Sequence, residues 1–534
     1  MPSEAPAVRR RLAGLVVPLF SMPSSRSWGI GEIGDIPAMA AWLRRAGFGI
    51  LQLLPLNEMA SWSQSPYSAT SAMAIDPLYL SVHEIEEFAE LGGAGSMPPA
   101  WQEDLDLARR APGVDYVRVR RVKAAACARA FARFRDVHLK RNSARARAFL
   151  KWVAREAWWV EAYALFRALH LQFSERSWRE WPADLRDAGP EALAAARAQR
   201  LDQVRYRQYL QWQAAEQWEH ARRAARPVAL FGDVPFMVDG DSADVWARQR
   251  QFLLDASVGA PPDAFSEDGQ DWGLPPCDWD AMAADGFAWI HERARRSADL
   301  FDGFRIDHLV GFYRTYIIPS DGRPRSFRPA GEAEQLALGE TIIRAFAAGP
   351  ARVIAEDLGT VPDYVRASLD RLGVPGFKVL RWERYWDDPG RPFRDPAAYA
   401  PASVATSGTH DTETLAGWWD GLPADERVAV SRIPALRRIL GEGFDFTSTP
   451  YGPDLRDAFL HALFESSSDL VILPIQDLFG WRDRINVPAT ITDENWSWRL
   501  RWPADAFVSE PEADERGAAA ARWAEETGRL SAHS

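Results

Sequence analysis

Eight short apolar or β-branched runs recur along this chain with helical stretches between them, and that alternation restricts the fold more than any other feature. The runs lie at 14–17, 48–54, 228–231, 300–306, 353–355, 377–380, 403–406 and 470–475. Stretches with helical character fall at 36–45, 242–254, 333–348, 362–372 and 455–466. Strand–helix alternation predicts parallel strands joined by crossover helices. Eight such units predict an α/β fold closed as a (β/α)8 TIM barrel, in which catalytic groups sit at the C-terminal ends of strands. Polar clusters occupy those ends here: Gly232-Asp233, Asp307-His308, Glu356-Asp357, Thr409-His410-Asp411 and Gln476-Asp477.

Far more chain separates the second and third runs than one crossover helix requires. Residues 81–226 are therefore expected to form a large, mostly helical insertion subdomain between strands 2 and 3. Within it Trp158, Tyr163, Phe166 and Leu169 are spaced to share one helix face. The expected organisation is a first part of the barrel over 1–80, the insertion over 81–226, the remainder of the barrel over 227–510, and a C-terminal helix or tail over 511–534.

With 47% hydrophobic residues the chain can bury a large core, and a formal net charge of -11 argues against a nucleic acid as main partner. The Arg-rich stretch from Arg109 to Arg226 reads as solvated faces of Arg/Ala-rich helices, the alternative being a contact with RNA or an acidic protein. Cys127 and Cys277 are the only cysteines and stand in no metal-ligand pattern, so neither a disulfide framework nor a metal site is expected. Arg9, Arg10 and Arg11 ahead of the apolar run 12–20 imitate a signal peptide. No clean cleavage pattern follows, and the run reads as the first strand. No run approaches the ~18 apolar residues of a membrane helix. A cytoplasmic protein without a membrane partner is the expectation. The 24 tryptophans fit sugar-stacking surfaces as well as an aromatic core.

Three strand ends carry carboxylates suited to acid–base work. In Phe304-Arg305-Ile306-Asp307-His308 the Asp is flanked by Arg and His, which favour its charged form. It reads either as a nucleophile for an anomeric carbon or as a structural Arg–Asp ion pair at a barrel rim. In Ala355-Glu356-Asp357-Leu358-Gly359 the two acids, if on a strand, point to opposite faces and do not share one task. Crowding there can raise a carboxyl pKa into the range of a proton donor, although Asp357, Thr360 and Pro362 also read as the start of a helix. In Gly408-Thr409-His410-Asp411-Thr412 the Asp could be a cap, and His410 beside it is a donor suited to a sugar hydroxyl. Three such clusters at three strand ends are not easily explained by capping alone.

These motifs, with those around them, resemble the 4-α-glucanotransferases of the amylomaltase (disproportionating enzyme) family, glycoside hydrolase family 77. Ser65-Pro66-Tyr67-Ser68 and Asp76-Pro77-Leu78-Tyr79-Leu80 resemble its N-terminal signature. Gly232-Asp233-Val234-Pro235 with Asp241-Ser242-Ala243-Asp244-Val245-Trp246 resembles its third-strand block. Pro261-Pro262-Asp263-Ala264-Phe265-Ser266 and Gly269-Gln270-Asp271-Trp272-Gly273 resemble a particularly specific block. Gln476-Asp477, Asn486-Val487-Pro488 and Asn495-Trp496-Ser497-Trp498-Arg499 resemble the closing one.

The resemblance implies catalysis by Asp307 as nucleophile, Glu356 as general acid/base and Asp411 as transition-state stabiliser. It further implies that Arg305 orients Asp307, that His308 and His410 donate hydrogen bonds to the reacting glucose, and that Tyr67 stacks on or near it. Gln270, Trp272 and Asp357 would line subsites. Maltooligosaccharides and α-1,4-glucans would be donor and acceptor, with no cofactor and no metal. The chain departs from the pattern at Leu309-Val310-Gly311, where many relatives have Phe-Arg-Gly, and at Leu274-Pro275-Pro276-Cys277, where Asn-Pro and an aromatic are usual. Other readings of the same residues are a retaining α-glucan hydrolase and a catalytically silent glucan-binding protein.

Overall fold

The computed structural model describes residues 11–262 and 269–530. Arg9, Arg10 and the motif residues Asp263, Ala264, Phe265 and Ser266 lie outside the described residues. Eight parallel strands close a barrel: β1 (Leu12–Val16), β2 (Ile50–Gln52), β3 (Ala229–Val234), β4 (Gly303–Ile306), β5 (Arg352–Ala355), β6 (Gly376–Val379), β7 (Ser403–Thr406) and β8 (Leu470–Pro474). Each pairs with its neighbours in sequence, and β1 closes the ring by pairing with both β2 and β8, so that Val16 faces Gln52 on one side and Pro474 on the other. All eight runs read from the sequence are barrel strands.

Register fixes which side chains enter the barrel. Asp233, Arg305 and Ile354 lie in one row across β3, β4 and β5. Side chains alternate faces along a strand, so Asp307 and Glu356, one step of two beyond Arg305 and Ile354, continue on the same face. Asp357 takes the opposite one. Lower in the barrel Phe231 pairs with Gly303, and a Cβ on Gly303 would come within 2.5 Å of the Phe231 ring. The glycine leaves room for the ring to fill the interior.

Between β2 and β3 the chain is helical, including Tyr116–Arg133, Ala144–Arg155, Ala157–Gln172 and Leu201–Ala225. Tyr163, Phe166 and Leu169 are buried and Trp158 is partly so. Helix Leu201–Ala225 packs on both Ala157–Gln172 and the barrel helix Ile36–Arg45. Two buried polar links fasten this helical region to the barrel. Lys123 Nζ lies 2.7 Å from Glu32 Oε1 with both side chains almost fully buried, and it also donates to the carbonyls of Leu78 and Leu80. Arg167 donates to Glu58 and contacts His170, whose Nε2 lies 3.0 Å from Asp241 in the loop after β3.

The structure differs from the sequence reading in two places. The 242–254 stretch is not one helix but Ala243–Ala247 followed by a 3-10 turn, because Trp246 buries against Phe166 and Trp181 while Phe252 turns onto Trp289. A four-stranded antiparallel sheet, in the order Gln270–Asp271, Ala256–Ala260, Thr315–Pro319, Ser326–Arg328, lies beside the barrel and was not anticipated. The final segment, for which a helix or a tail was expected, contains a docked helix, Pro511–Glu526, held by Trp42 Nε1 to Ala513 O at 3.1 Å and by Arg516 to Asp457. Beyond it the buried Arg529 donates to the carbonyls of Phe464, Ser466, Ser468 and Asp469. Among the described residues no helix is long and apolar enough to cross a membrane.

Removing one member of a buried ion pair leaves the other uncompensated, which costs about 3–5 kcal/mol. Lys123→Met is expected to lower unfolding free energy by that amount in urea titrations, and Lys123→Met/Glu32→Gln to recover most of it. An unchanged midpoint in the single variant would show that the pair does not fasten the helical region.

Candidate active site

Four strand ends converge on the guanidinium of Arg305. From β3, Asp233 accepts two hydrogen bonds from Nη1, at 2.9 and 2.8 Å. From the end of β4, Asp307 Oδ1 lies 2.8 Å from Nη2. From the end of β5, Glu356 Oε2 lies 3.8 Å from the same Nη2. The Tyr67 hydroxyl, from the loop after β2, donates to Asp233 Oδ2 at 2.8 Å. Arg305 is buried, and burial disfavours its charge, but Asp233, Asp307, Tyr67 and Glu356 together outweigh this and raise its pKa well above the ordinary value. A permanently charged, forked donor is the group that can hold several carboxylates in fixed relation.

Glu356 has a second set of partners. The His308 main-chain N–H donates to Oε2 at 2.8 Å and the Leu358 N–H to Oε1 at 2.9 Å. Burial is the main influence on its pKa and pushes it up to about 7, with Asp307 adding to the rise and Arg305 and the two N–H donors opposing it. A carboxyl poised there can carry a proton at neutral pH and give it up.

Asp411 sits across the site after β7. Asn486 Nδ2 donates to its Oδ1 at 2.7 Å and His410 Nε2 lies 3.3 Å from its Oδ2, while Arg484 donates to its main-chain carbonyl. Enclosure alone would raise its pKa, but the His410 charge and the hydrogen bonds from His410 and Asn486 prevail and lower it to about 2. His410 shifts the other way. Enclosure lowers its pKa, Asp411 more than reverses this, and the net direction is up.

Aromatic rings wall the cleft. Tyr67 stacks on His410 with centroids 5.3 Å apart, and Trp496 leans on both. In a second aromatic group His308 is set edge-on to Trp272 at 4.8 Å and to Phe236 at 5.4 Å. Enclosure lowers the His308 pKa to about 4, which leaves a neutral ring able both to donate and to accept. Trp272 Nε1 donates to Gln270 Oε1 at 3.1 Å, so the side sheet delivers both residues to the cleft edge.

The structure thus brings together Asp307, Glu356, Asp411, Tyr67, Arg305, His308, His410, Gln270 and Trp272. It does not bring Asp357 to them. That carboxylate turns to the outer face of the barrel, accepting from Phe377 N at 2.7 Å and facing Arg366 Nη1 at 3.4 Å. The alternation of faces after β5 dictates this, and the subsite expected from the resemblance gives way to a structural contact. Leu309 and Val310 are buried beneath the site. The sequence reading did not assign roles to Asp233, Asn486, Trp496 or Phe236. Asp233 carried the signal of its companions, an acid closing a barrel strand; the partners of the others are visible only in three dimensions. Among the described residues no cluster of His, Cys, Asp and Glu forms a metal site.

Residues 17–505 match the family profile of glycoside hydrolase family 77, described as 4-alpha-glucanotransferase. The chain is 31% identical over 502 residues to a 4-alpha-glucanotransferase of Chlamydia pneumoniae, covering 91% of each. It is 32% identical over 507 residues to that of Thermus thermophilus, covering 92% of this chain and 95% of the relative. Among solved structures, the amylomaltase from Streptococcus agalactiae in complex with acarbose superposes with a TM-score of 0.81 at 26% identity, covering 98% of this chain and 100% of that one. A match of that extent, on a barrel whose strand ends carry this group of acids, makes the chain a member of the 4-alpha-glucanotransferases of glycoside hydrolase family 77.

Proposed function

We propose that this chain transfers segments of α-1,4-glucan between maltooligosaccharides or longer glucans by a retaining double displacement at Asp307 and Glu356. The observation that carries this reading is that one nitrogen of Arg305 lies 2.8 Å from the Asp307 carboxyl and 3.8 Å from that of Glu356. One guanidinium holds nucleophile and acid/base close to the same bond, as retention requires with its carboxyl separation of ~5–5.5 Å.

In the first step protonated Glu356 gives its proton to the glycosidic oxygen while Asp307 attacks the anomeric carbon. The C–O bond to the leaving segment breaks as the bond to the Asp307 oxygen forms. Arg305 holds the other oxygen of Asp307 and so aims the attack. Asp411, kept charged by His410 and Asn486, accepts sugar hydroxyls as positive charge develops on the ring. His308 and His410 donate to the same glucose. In the second step Glu356, now a carboxylate, takes the proton from an acceptor 4-hydroxyl, whose oxygen displaces Asp307 and restores the starting configuration. The scheme uses no cofactor.

A sugar acceptor has to outcompete water. Its advantage is position: the partly buried Trp272 ring offers a flat apolar face that docks a glucose and displaces solvent from its path. The Gln270 amide beside Trp272 is a donor and acceptor for acceptor hydroxyls. A hydrolase with the same carboxyls lacks only this preference, so the products distinguish the two.

Maltotriose as sole substrate is expected to give glucose together with oligomers longer than itself in a time course; only shorter products would identify a hydrolase. Glu356→Gln is expected to lower kcat/KM by about 10²–10⁴. The pH profile follows from the need for a protonated Glu356 in the first step. The proton is present below about 7 and lost above it, so kcat/KM for the donor should fall on the alkaline side with a midpoint near 7. A profile flat to pH 9 would remove Glu356 from the role. Asp357→Asn is expected to keep transfer activity while lowering thermal stability, and a loss as deep as that of Glu356→Gln would return Asp357 to the sugar.

A further inference from the structure

The carboxyl of Glu356 is gripped by main chain on both oxygens, and one of the two donors belongs to a residue of unusual backbone conformation. His308 N donates to Oε2 at 2.8 Å and Leu358 N to Oε1 at 2.9 Å. The next N–H along the chain, that of Leu309, donates to the main-chain carbonyl of Glu356 at 3.2 Å. Two consecutive N–H groups therefore turn toward one residue. In an extended strand consecutive N–H groups point to opposite sides. They converge where a left-handed residue interrupts the run. His308 is that residue, with φ 42° and ψ 49°.

The left-handed region is disfavoured for side chains with a Cβ, most of all β-branched ones, whereas glycine enters it freely and asparagine more readily than most. His308 holds the conformation because its surroundings hold the ring. Trp272 and Phe236 pack its edges, and the 3-10 turn Leu309–Phe312 that follows is buried. The contacts that seat the imidazole in the cleft are thus the contacts that keep its backbone turned.

We propose that His308 acts through its main chain as well as its ring: its left-handed backbone lets the 308 N–H hold the Glu356 carboxyl while the 309 N–H holds the Glu356 main-chain carbonyl, and so positions the acid/base. This rests on Glu356 being the acid/base of the proposed transfer. An N–H on a carboxylate favours the charged form, so losing it raises the proton affinity. The charged groups that act on Glu356 are Arg305 on β4 and Asp307 at its end, and the variants below leave them in place. In this arrangement His308 is a positioning residue for Glu356 in addition to touching the sugar.

His308→Gly, His308→Asn and His308→Val all remove the imidazole and differ in how well they hold the left-handed backbone. With maltotriose as substrate, the full-length Gly and Asn variants should share the alkaline midpoint of the unmodified enzyme, below its rate by the common loss of the ring. The Val variant should move that midpoint up by about one pH unit and fall roughly a further tenfold in kcat. Superimposable profiles for all three would overturn the proposal. Should the Val variant not fold, His308→Ala replaces it, and hydrogen–deuterium exchange gives an independent arm. Removing the acceptor in Glu356→Ala should speed exchange of the peptide containing the 308 amide, and unchanged exchange would overturn the proposed grip. Activity retained in Glu356→Gln would instead overturn the acid/base reading itself, so the two failures are distinguishable.

Discussion

A buried guanidinium surrounded by acids is the constraint on which this site depends. Arg305 gives up its hydration to sit inside the barrel, and such a charge is tolerated only where well-placed carboxylates replace the lost water. Asp233 supplies a two-pronged partner and Asp307 a third contact, while Glu356 lies just beyond hydrogen-bond reach of the same nitrogen. The gradation separates the roles. The acid that Arg305 grips on both oxygens is structural, the acid gripped on one oxygen keeps another for chemistry, and the acid held at arm's length can bind a proton.

The barrel makes this gradation through register rather than through local sequence. Asp233 and Arg305 meet because β3 and β4 pair Asp233 with Arg305 directly. The same parity sends Glu356 inward and Asp357 outward. Around this centre the loops supply what the strands cannot: Tyr67 from after β2, Asn486 and Trp496 from after β8, Trp272 and Gln270 from the side sheet. The buried Lys123–Glu32 pair and the polar chain through Glu58, Arg167, His170 and Asp241 tie the helical region to the loops after β1, β2 and β3. The walls of the cleft thus rest on interactions well outside it.

Much of this architecture is written plainly in the sequence, for a physical reason. A barrel strand buried on both faces is a short, mostly apolar run that stops abruptly where the cleft begins, and five of the eight runs end in a polar cluster. The same abrupt stop exposes Asp307, Glu356 and Asp411 as acids at strand ends. Partners distant in the chain are harder to see. Asp233 and Arg305 are 72 residues apart, and nothing beside either one names the other. Asp357 shows two lines of reasoning in competition. Alternation along the strand sets it apart from Glu356, the family resemblance draws it toward the sugar, and the hydrogen bond from Phe377 N favours alternation. The side sheet escaped notice because its strands run only two to five residues, and Ser326–Arg328 has neither a buried nor an alternating pattern strong enough to announce it.

The seam of the barrel has a consequence for how the molecule comes into being. Leu12 pairs with Leu470, and Arg529, just beyond helix Pro511–Glu526, gathers the carbonyls at the start of β8. A ribosome releases the first strand long before the last, so β1 must wait with one edge bare until β8 has been made. Asp411 likewise meets Asn486 only after β8 has been made. The nascent chain can therefore build its helices and half its wall in order, yet it owns no complete cleft until the ring closes. Closure of the barrel and the first appearance of a working site are one event.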